Sequence, residues 1–178
     1  HELCPQSLSA SAVLNDAWRS VRNVYHETRN RYTDKCDQHT NNYNPAPMRG
    51  YYDHNSVPVN HQYYNSHWYR FELPAGTHMP TVAPGERRCG THMSGWLRDG
   101  HAPRGGGPMV TPVCFMRGSS TCYYQTQIQT CTCSYDGGLT NTYLYRLPQP
   151  YTCNSVYCGT DDSSGLVRTT PWPPRPPP

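Results

Sequence analysis

The chain has 178 residues, the size of one ordinary domain. Leu, Ile, Val and Phe supply only 22 of them, about 12%, which is below the roughly 20% under which disorder is normally suspected. Disorder usually also requires a high net charge, whereas 15 basic and 12 acidic residues here leave a formal charge of +3. The charge is too small and scattered for a nucleic-acid-binding protein, and no apolar run approaches the roughly 20 residues of a membrane span.

Aromatic residues and cysteines can replace the missing aliphatic core. The sequence contains 15 Tyr, four Trp, two Phe and nine Cys. Aromatic rings bury large areas, and each disulfide contributes roughly 2–4 kcal/mol by restricting the unfolded chain. Nine Cys without paired Cys-x-x-Cys units are typical of an oxidised framework, so we expect an extracellular, secreted protein, either a mature chain or a processed fragment. No cofactor or metal is implied, because the nine His lack the spacing of metal ligands.

The odd number of Cys leaves at least one outside intrachain pairs. Cys4 is the candidate, because it stands alone near the N-terminus while the others lie between positions 36 and 158. A bridge to another molecule, a bridge to a missing segment and an unpaired thiol are all open for it.

The first part of the chain offers few local signals. Residues 1–13 form a polar N-terminal segment, and apolar positions recur at helical spacing from Leu14 to Tyr25, which predicts a short amphipathic helix. Residues 38–66 are rich in Asn, Tyr, His and Pro without a sustained period, which indicates a long irregular insertion. Four Tyr of this region, together with the Trp that follows it, are expected to form either a sugar-stacking or subunit-docking surface or a substitute core. They are Tyr51, Tyr52, Tyr63, Tyr64 and Trp68.

Three strands are predicted in the second part. Residues 67–73, 122–133 and 142–147 combine aromatic and β-branched residues with a period of two. Turn residues at positions 136–138 predict a hairpin between the last two strands, with a loop of five to eight residues. The Gly- and Pro-rich stretch 84–112 is predicted to be irregular. The fold class is therefore mostly β, a small disulfide-rich domain with much irregular structure.

A Pro-rich tail or linker occupies residues 161–178. Six of the last eight residues are Pro, which favours an extended polyproline II segment in which Trp172 and Arg175 share one face as a contact surface. The sequence has no Asn-x-Ser/Thr sequon, so glycans are expected as O-glycans in the tail. The candidate positions are Thr169, Thr170, Pro171, Pro173 and Pro174.

Short motifs occur in the order seen in a family of extracellular domains. They include the stretches Leu14-Asn15-Asp16-Ala17-Trp18, Trp68-Tyr69-Arg70-Phe71, Arg88-Cys89-Gly90-Thr91-His92, Gly95-Trp96-Leu97 and Tyr143-Leu144-Tyr145-Arg146-Leu147. The chain resembles, over residues 14–160, the eight-cysteine domain of the uromodulin and pancreatic zymogen-granule glycoprotein family, with 38–66 as an insertion. The resemblance implies that eight cysteines form disulfides within this domain. They are Cys36, Cys89, Cys114, Cys122, Cys131, Cys133, Cys153 and Cys158.

Two functions are predicted, and neither is enzymatic, because no catalytic motif is present. The first is a structural glycoprotein subunit of an extracellular assembly, expected to be a filament, in which the Pro-rich tail connects copies of the same chain. The alternative is a carbohydrate- or microbe-binding module, either a decoy or an adhesive, whose Tyr-rich insertion holds the glycan.

Overall fold

The structure, a computed structural model, describes Cys4 and residues 11–15, 17–23, 68–85, 87–148 and 155–161. These residues form seven strands and a single turn of 3-10 helix, and they contain no helix long and apolar enough to cross a membrane. In chain order the elements are β1 (Ala12–Leu14), the 3-10 turn (Ala17–Arg19), β2 (Tyr69–Phe71), β3 (Met93–Trp96), β4 (Met109–Arg117), β5 (Ser120–Cys133), β6 (Thr142–Arg146) and β7 (Ser155–Tyr157).

The strands form one mixed sheet in the order β1-β2-β6-β5-β4-β3-β7. The inner neighbours are antiparallel, whereas β1 runs parallel to β2 and β7 runs parallel to β3. The residues that follow the two outer strands then meet, because Ser20 forms a parallel bridge with Gly159. Thr160 adds an antiparallel bridge with His78. The two ends of the sheet are thereby tied together by the backbone.

An aromatic core lies at the centre of the fold, and its members come from all seven strands. The Phe115 ring stacks on Tyr124 with centroids 4.7 Å apart, and it meets Tyr157 edge-on at 5.6 Å. Phe71 meets Tyr145 edge-on at 5.4 Å. Aromatic pairs of this kind contribute beyond the area they bury, so the rings do replace the missing aliphatic residues.

Close packing at Gly159 joins the ends of the sheet. Its N–H donates to the carbonyl of Arg19 at 3.0 Å, and its carbonyl accepts from the N–H of Val21 at 2.9 Å. A Cβ at this position would lie 2.4 Å from the carbonyl oxygen of Ala75 and 2.9 Å from Cδ1 of Phe71. Only glycine therefore allows the chain after β7 to pass between its two neighbours.

The mostly β fold is confirmed, and each of the three predicted strands contains or overlaps an observed one. β2, β5 and β6 correspond to predicted strands 67–73, 122–133 and 142–147, and residues 134–141 form a hairpin loop of the expected length. The stretch 84–112 is not wholly irregular, because β3 lies within it and β4 begins there. Sequence patterns did not indicate β7, whose three residues are too short to show a period.

The helix predicted from Leu14 to Tyr25 is wrong over the described residues. Leu14 ends a strand, and only Ala17–Arg19 are helical, as a single 3-10 turn. The carbonyl of Leu14 instead accepts from the N–H of Glu72 at 3.0 Å, next to the β1–β2 pairing. Tertiary strand pairing therefore overrides a weak helical period in this segment.

Candidate functional site: the disulfides and the edge of strand β5

Two disulfides fix the second half of the domain. Cys89 is bonded to Cys158, which ties the loop before β3 to the end of β7. Cys114 is bonded to Cys122, which crosses the β4–β5 hairpin near its tip. The separations of 69 and 8 residues differ strongly, so the first bridge restricts the unfolded chain much more than the second.

A group of three sulfurs, here called the three-sulfur cluster, lies at the end of β5. Cys4 is bonded to Cys133, and Sγ of Cys131 lies 2.8 Å from Sγ of Cys4 and 3.9 Å from Sγ of Cys133. Trp68 and Leu144 pack around the cluster. Cys131 and Cys133 are each 1% exposed. This bond differs from all three alternatives left open for Cys4, which were a bridge to another molecule, a bridge to a missing segment and an unpaired thiol, because Cys4 is bonded within its own chain.

The structure decides between the two interpretations of Trp68, which were an exposed contact surface and a substitute core residue. Its side chain is only 5% exposed and packs against the three-sulfur cluster, so it has the alternative role of a substitute core residue. The other predicted contact, glycan and cysteine positions lie outside the described residues. They are Cys36, Tyr51, Tyr52, Tyr63, Tyr64, Cys153, Thr169, Thr170, Pro171, Trp172, Pro173, Pro174 and Arg175.

A buried polar group supports the loop between β2 and β3. The hydroxyl of Tyr145 accepts a hydrogen bond from the N–H of Met79 at 2.9 Å and lies 2.5 Å from Nε2 of His101. Both side chains are completely buried. Burial raises the pKa of Tyr145 well above its ordinary value, although the bond from Met79 acts in the opposite direction. Since no solvent reaches this group, its geometry suits structural support rather than chemistry on a substrate.

The most distinctive exposed feature is one side of β5, here called the β5 edge and defined as residues 120–128. β6 pairs only with Gln129–Cys133, so among the described residues the β5 edge has strand β4 on one side and no strand on the other. Positions 121, 123, 125 and 127 are exposed and alternate with partly buried positions. The nine residues include no charged residue, Pro or Gly. The outer strands β1 and β7, by contrast, are only three residues long.

An open groove of about 610 Å³ lies near the start of the Pro-rich tail. Val82 and Pro84 supply apolar lining, and Arg88 adds a positive charge. Arg22 and Asp161 also line the groove and form an ion pair at 2.9 Å. Asp161, in the wall of this groove, is the last described residue.

A disulfide-bonded β sheet with an aromatic core defines a cysteine-rich module of the extracellular type. The family model of the uromodulin-like domain matches residues 69–159, and the chain belongs to this family. It is 34% identical over 97 residues to uromodulin of Mus musculus and, equally, to uromodulin of Rattus norvegicus. These alignments cover 54% of this chain and 14% of each relative, so the matched region is a small part of the length of these relatives.

Proposed function

We propose that this chain is a non-enzymatic structural subunit of an extracellular assembly, in which copies join into a filament. The β5 edge is the observation that carries the proposal. An unprotected strand edge pairs readily with another strand, and proteins that remain single normally shorten, charge or bend such edges. Here the two outer strands are shortened, whereas the β5 edge is nine residues long and uncharged.

A second copy of the same edge is the partner that fits. Two β5 edges pairing antiparallel about Tyr124 would place Thr121 opposite Gln127 and Tyr123 opposite Gln125. Such a contact is two-fold symmetric, and it brings no like charges together. Aromatic and polar cross-strand pairs of this kind each contribute roughly 0.2–1 kcal/mol.

The strength of this contact is limited. The β4–β5 register shifts between Phe115 and Arg117, so only part of the nine-residue edge is regular and roughly six backbone hydrogen bonds are available to a partner strand. At about 0.5–1.5 kcal/mol each they contribute roughly 3–9 kcal/mol. Association costs roughly 4–15 kcal/mol, so the edge alone gives a weak dimer. A filament therefore requires a second contact.

The Pro-rich tail supplies this second contact in our proposal. Residues 162–178 would reach roughly 50 Å as polyproline II at about 3.1 Å per residue, far beyond the domain from which they start. O-glycans at the tail positions predicted from the sequence would keep the connector extended. Each chain would make one two-fold contact through its β5 edge and a second contact through its tail. Alternation of these two contacts extends the assembly as an open filament instead of closing it into a ring.

The test compares four forms of the chain by light scattering after size exclusion and by negative-stain microscopy. The unmodified chain should form filaments, and a chain ending at Asp161 should stop at dimers. The double variant Gln125→Lys/Gln127→Lys should lose the edge contact, because two copies would then bring four positive charges together. Leu139→Lys/Tyr135→Lys adds the same charge on the exposed β5–β6 loop and should leave filaments intact. A monomeric unmodified chain at all concentrations, or equal loss in both charge variants, would overturn the proposal.

A further inference from the structure

We propose that the groove lined by Asp161 binds residues 171–175 of a second copy of the chain. Trp172 is the apolar anchor of this segment, and Arg175 is its ion-pairing residue. The docking rests on the proposed function, because it names the surface that receives the tail contact. It is reciprocal, so that each of two chains places its tail in the groove of the other.

Backbone hydrogen bonds hold the groove in its open form. The carbonyl of Pro80 accepts from the N–H of Leu97 at 2.8 Å. The N–H of Thr160 donates to the carbonyl of His78 at 2.8 Å, and the N–H of His78 donates to the carbonyl of Thr160 at 3.2 Å. Pro80 and Thr160 both line the groove. A site that is already formed loses little conformational freedom when a partner binds.

The lining suits a flat aromatic side chain. Apolar surface comes from Pro80, Val82, Ala83 and Pro84. Val82 is 56% exposed, so this surface is accessible to a partner. Arg88 also lines the groove, and no acidic side chain in the described part of the chain pairs with its guanidinium. A guanidinium of this kind attracts the face of a Trp ring.

The charge of the groove complements that of the tail segment. Asp161 is the acidic residue of the lining, and it pairs with Arg22 at 2.9 Å. The side chains of Arg22 and Asp161 are 76% and 41% exposed, and ion pairs as exposed as this contribute little to stability. Arg175 of a second copy can therefore replace Arg22 as the partner of Asp161 without a large loss.

The tail segment presents its two contact residues together. A polyproline II segment with the sequence Pro-Trp-Pro-Pro-Arg places Trp172 and Arg175 one turn apart on one face, at a spacing of roughly 9 Å. Trp and Arg are both enriched among the residues that dominate binding energy at interfaces. The other two faces carry four of the candidate glycan positions, namely Thr170, Pro171, Pro173 and Pro174. O-glycans there would leave the face of Trp172 open for docking.

A second copy fits the groove better than the chain's own tail does. Trp172 follows Asp161 by 11 positions, which span roughly 34 Å at about 3.1 Å per residue. An extended tail therefore carries its Trp172 away from its own groove. Reciprocal exchange of tails between two chains is two-fold symmetric. It can alternate with the two-fold contact of the β5 edge along a filament.

The test measures the tail contact alone, in a full-length background in which Gln125→Lys/Gln127→Lys removes the edge contact. Light scattering after size exclusion should show that this background chain forms dimers through its tails. Adding Val82→Lys should return it to monomers. Val110→Lys adds the same charge at a Val of β4 that is 49% exposed and lies outside the groove, so it should leave the dimers intact. Trp172→Ala should raise the dimer dissociation constant by about 30-fold or more, the effect of losing a strong hot spot.

Charge reversal in the same background adds a second measurement. Asp161→Arg and Arg175→Glu should each weaken the dimer, by roughly up to fivefold for each exposed ion pair, and the double variant should restore it. Monomers of the background chain at all concentrations, or dimers that persist in Val82→Lys, would refute the docking. If the unmodified chain still forms filaments, such a result leaves the proposed function intact. Tail dimers of the background chain without filaments of the unmodified chain would refute the proposed function alone.

Discussion

Replacing Gly159 by Ala should strongly destabilise the domain, because this residue joins the two ends of the sheet. The new Cβ would lie 2.4 Å from the carbonyl oxygen of Ala75, where no real Cβ fits, so the backbone must move by several tenths of an ångström. Overpacking of this kind costs roughly 1–3 kcal/mol. The movement also stretches the two backbone hydrogen bonds of Gly159, worth about 0.5–1.5 kcal/mol each. The expected loss is about 3–5 kcal/mol out of a typical total of roughly 5–15 kcal/mol.

Urea unfolding followed by Trp and Tyr fluorescence, without reductant, measures this loss. Gly106→Ala is the matched control, because a Cβ there would lie 3.4 Å from its nearest neighbours. That variant should be neutral or slightly more stable, since Ala reduces the freedom of the unfolded chain. The midpoint of Gly159→Ala should fall with an unchanged slope. A free energy of unfolding within about 1 kcal/mol of the unmodified protein would show that the ends of the sheet are not joined as described.

Three further predictions concern pH and disulfides. Burial raises the pKa of Tyr145 above 10.0, so the folded state holds the phenol proton more tightly than the unfolded state does. The contribution of Tyr145 to stability is therefore complete below about pH 10 and is lost at higher pH. The urea midpoint should therefore fall above about pH 10, and less steeply in Tyr145→Phe. Hydrogen bonds from Thr140 lower the pKa of Asp136 from 3.8 to about 2, so its contribution is present above pH 3.8 and is lost as the pH falls through about 2. Acid titration should show this loss in the unmodified protein and not in Asp136→Asn. Removing the Cys89–Cys158 bridge with two Ser substitutions should lower the free energy of unfolding by about 4 kcal/mol, given its 69-residue separation, and a change below about 1 kcal/mol would contradict the role assigned to it.

The sequence predicted the local part of the fold well and the non-local part poorly. β5 and β6 show a period of two and flank clear turn residues, so the local sequence pattern was enough to predict both strands and the hairpin between them. β3 and β7 are four and three residues long and fully buried, so neither displays an alternation. β3 pairs with β4 on one side, and Met93, Ser94 and Gly95 pair on the other side with β7, more than fifty positions away. No local pattern reveals such pairing.

The placement of the sulfurs could not be predicted for a similar reason. Cys4 stands alone in the sequence, but isolation along the chain says nothing about distance in space. Cys4 and Cys133 are 129 positions apart and are bonded. The sequence left the role of Trp68 open, because an aromatic residue beside a polar stretch is compatible with either a surface or a core. In the structure the Trp68 side chain packs against the neighbouring sulfurs and Leu144, so it belongs to the core.

The disulfide across the β4–β5 hairpin orders the strand that carries the exposed β5 edge. Over residues 120–128 the hairpin has only two strands among the described residues, and isolated two-stranded hairpins are marginally stable. The pairing of this hairpin shifts register between Phe115 and Arg117. Cys114–Cys122, the stacking of Phe115 on Tyr124 and the bond from Trp96 hold it in a fixed arrangement. A strand that is already ordered loses little entropy when a partner pairs with it. Reduction of Cys114–Cys122 should therefore weaken assembly before it unfolds the domain, whereas a bridge that served stability alone would weaken both together.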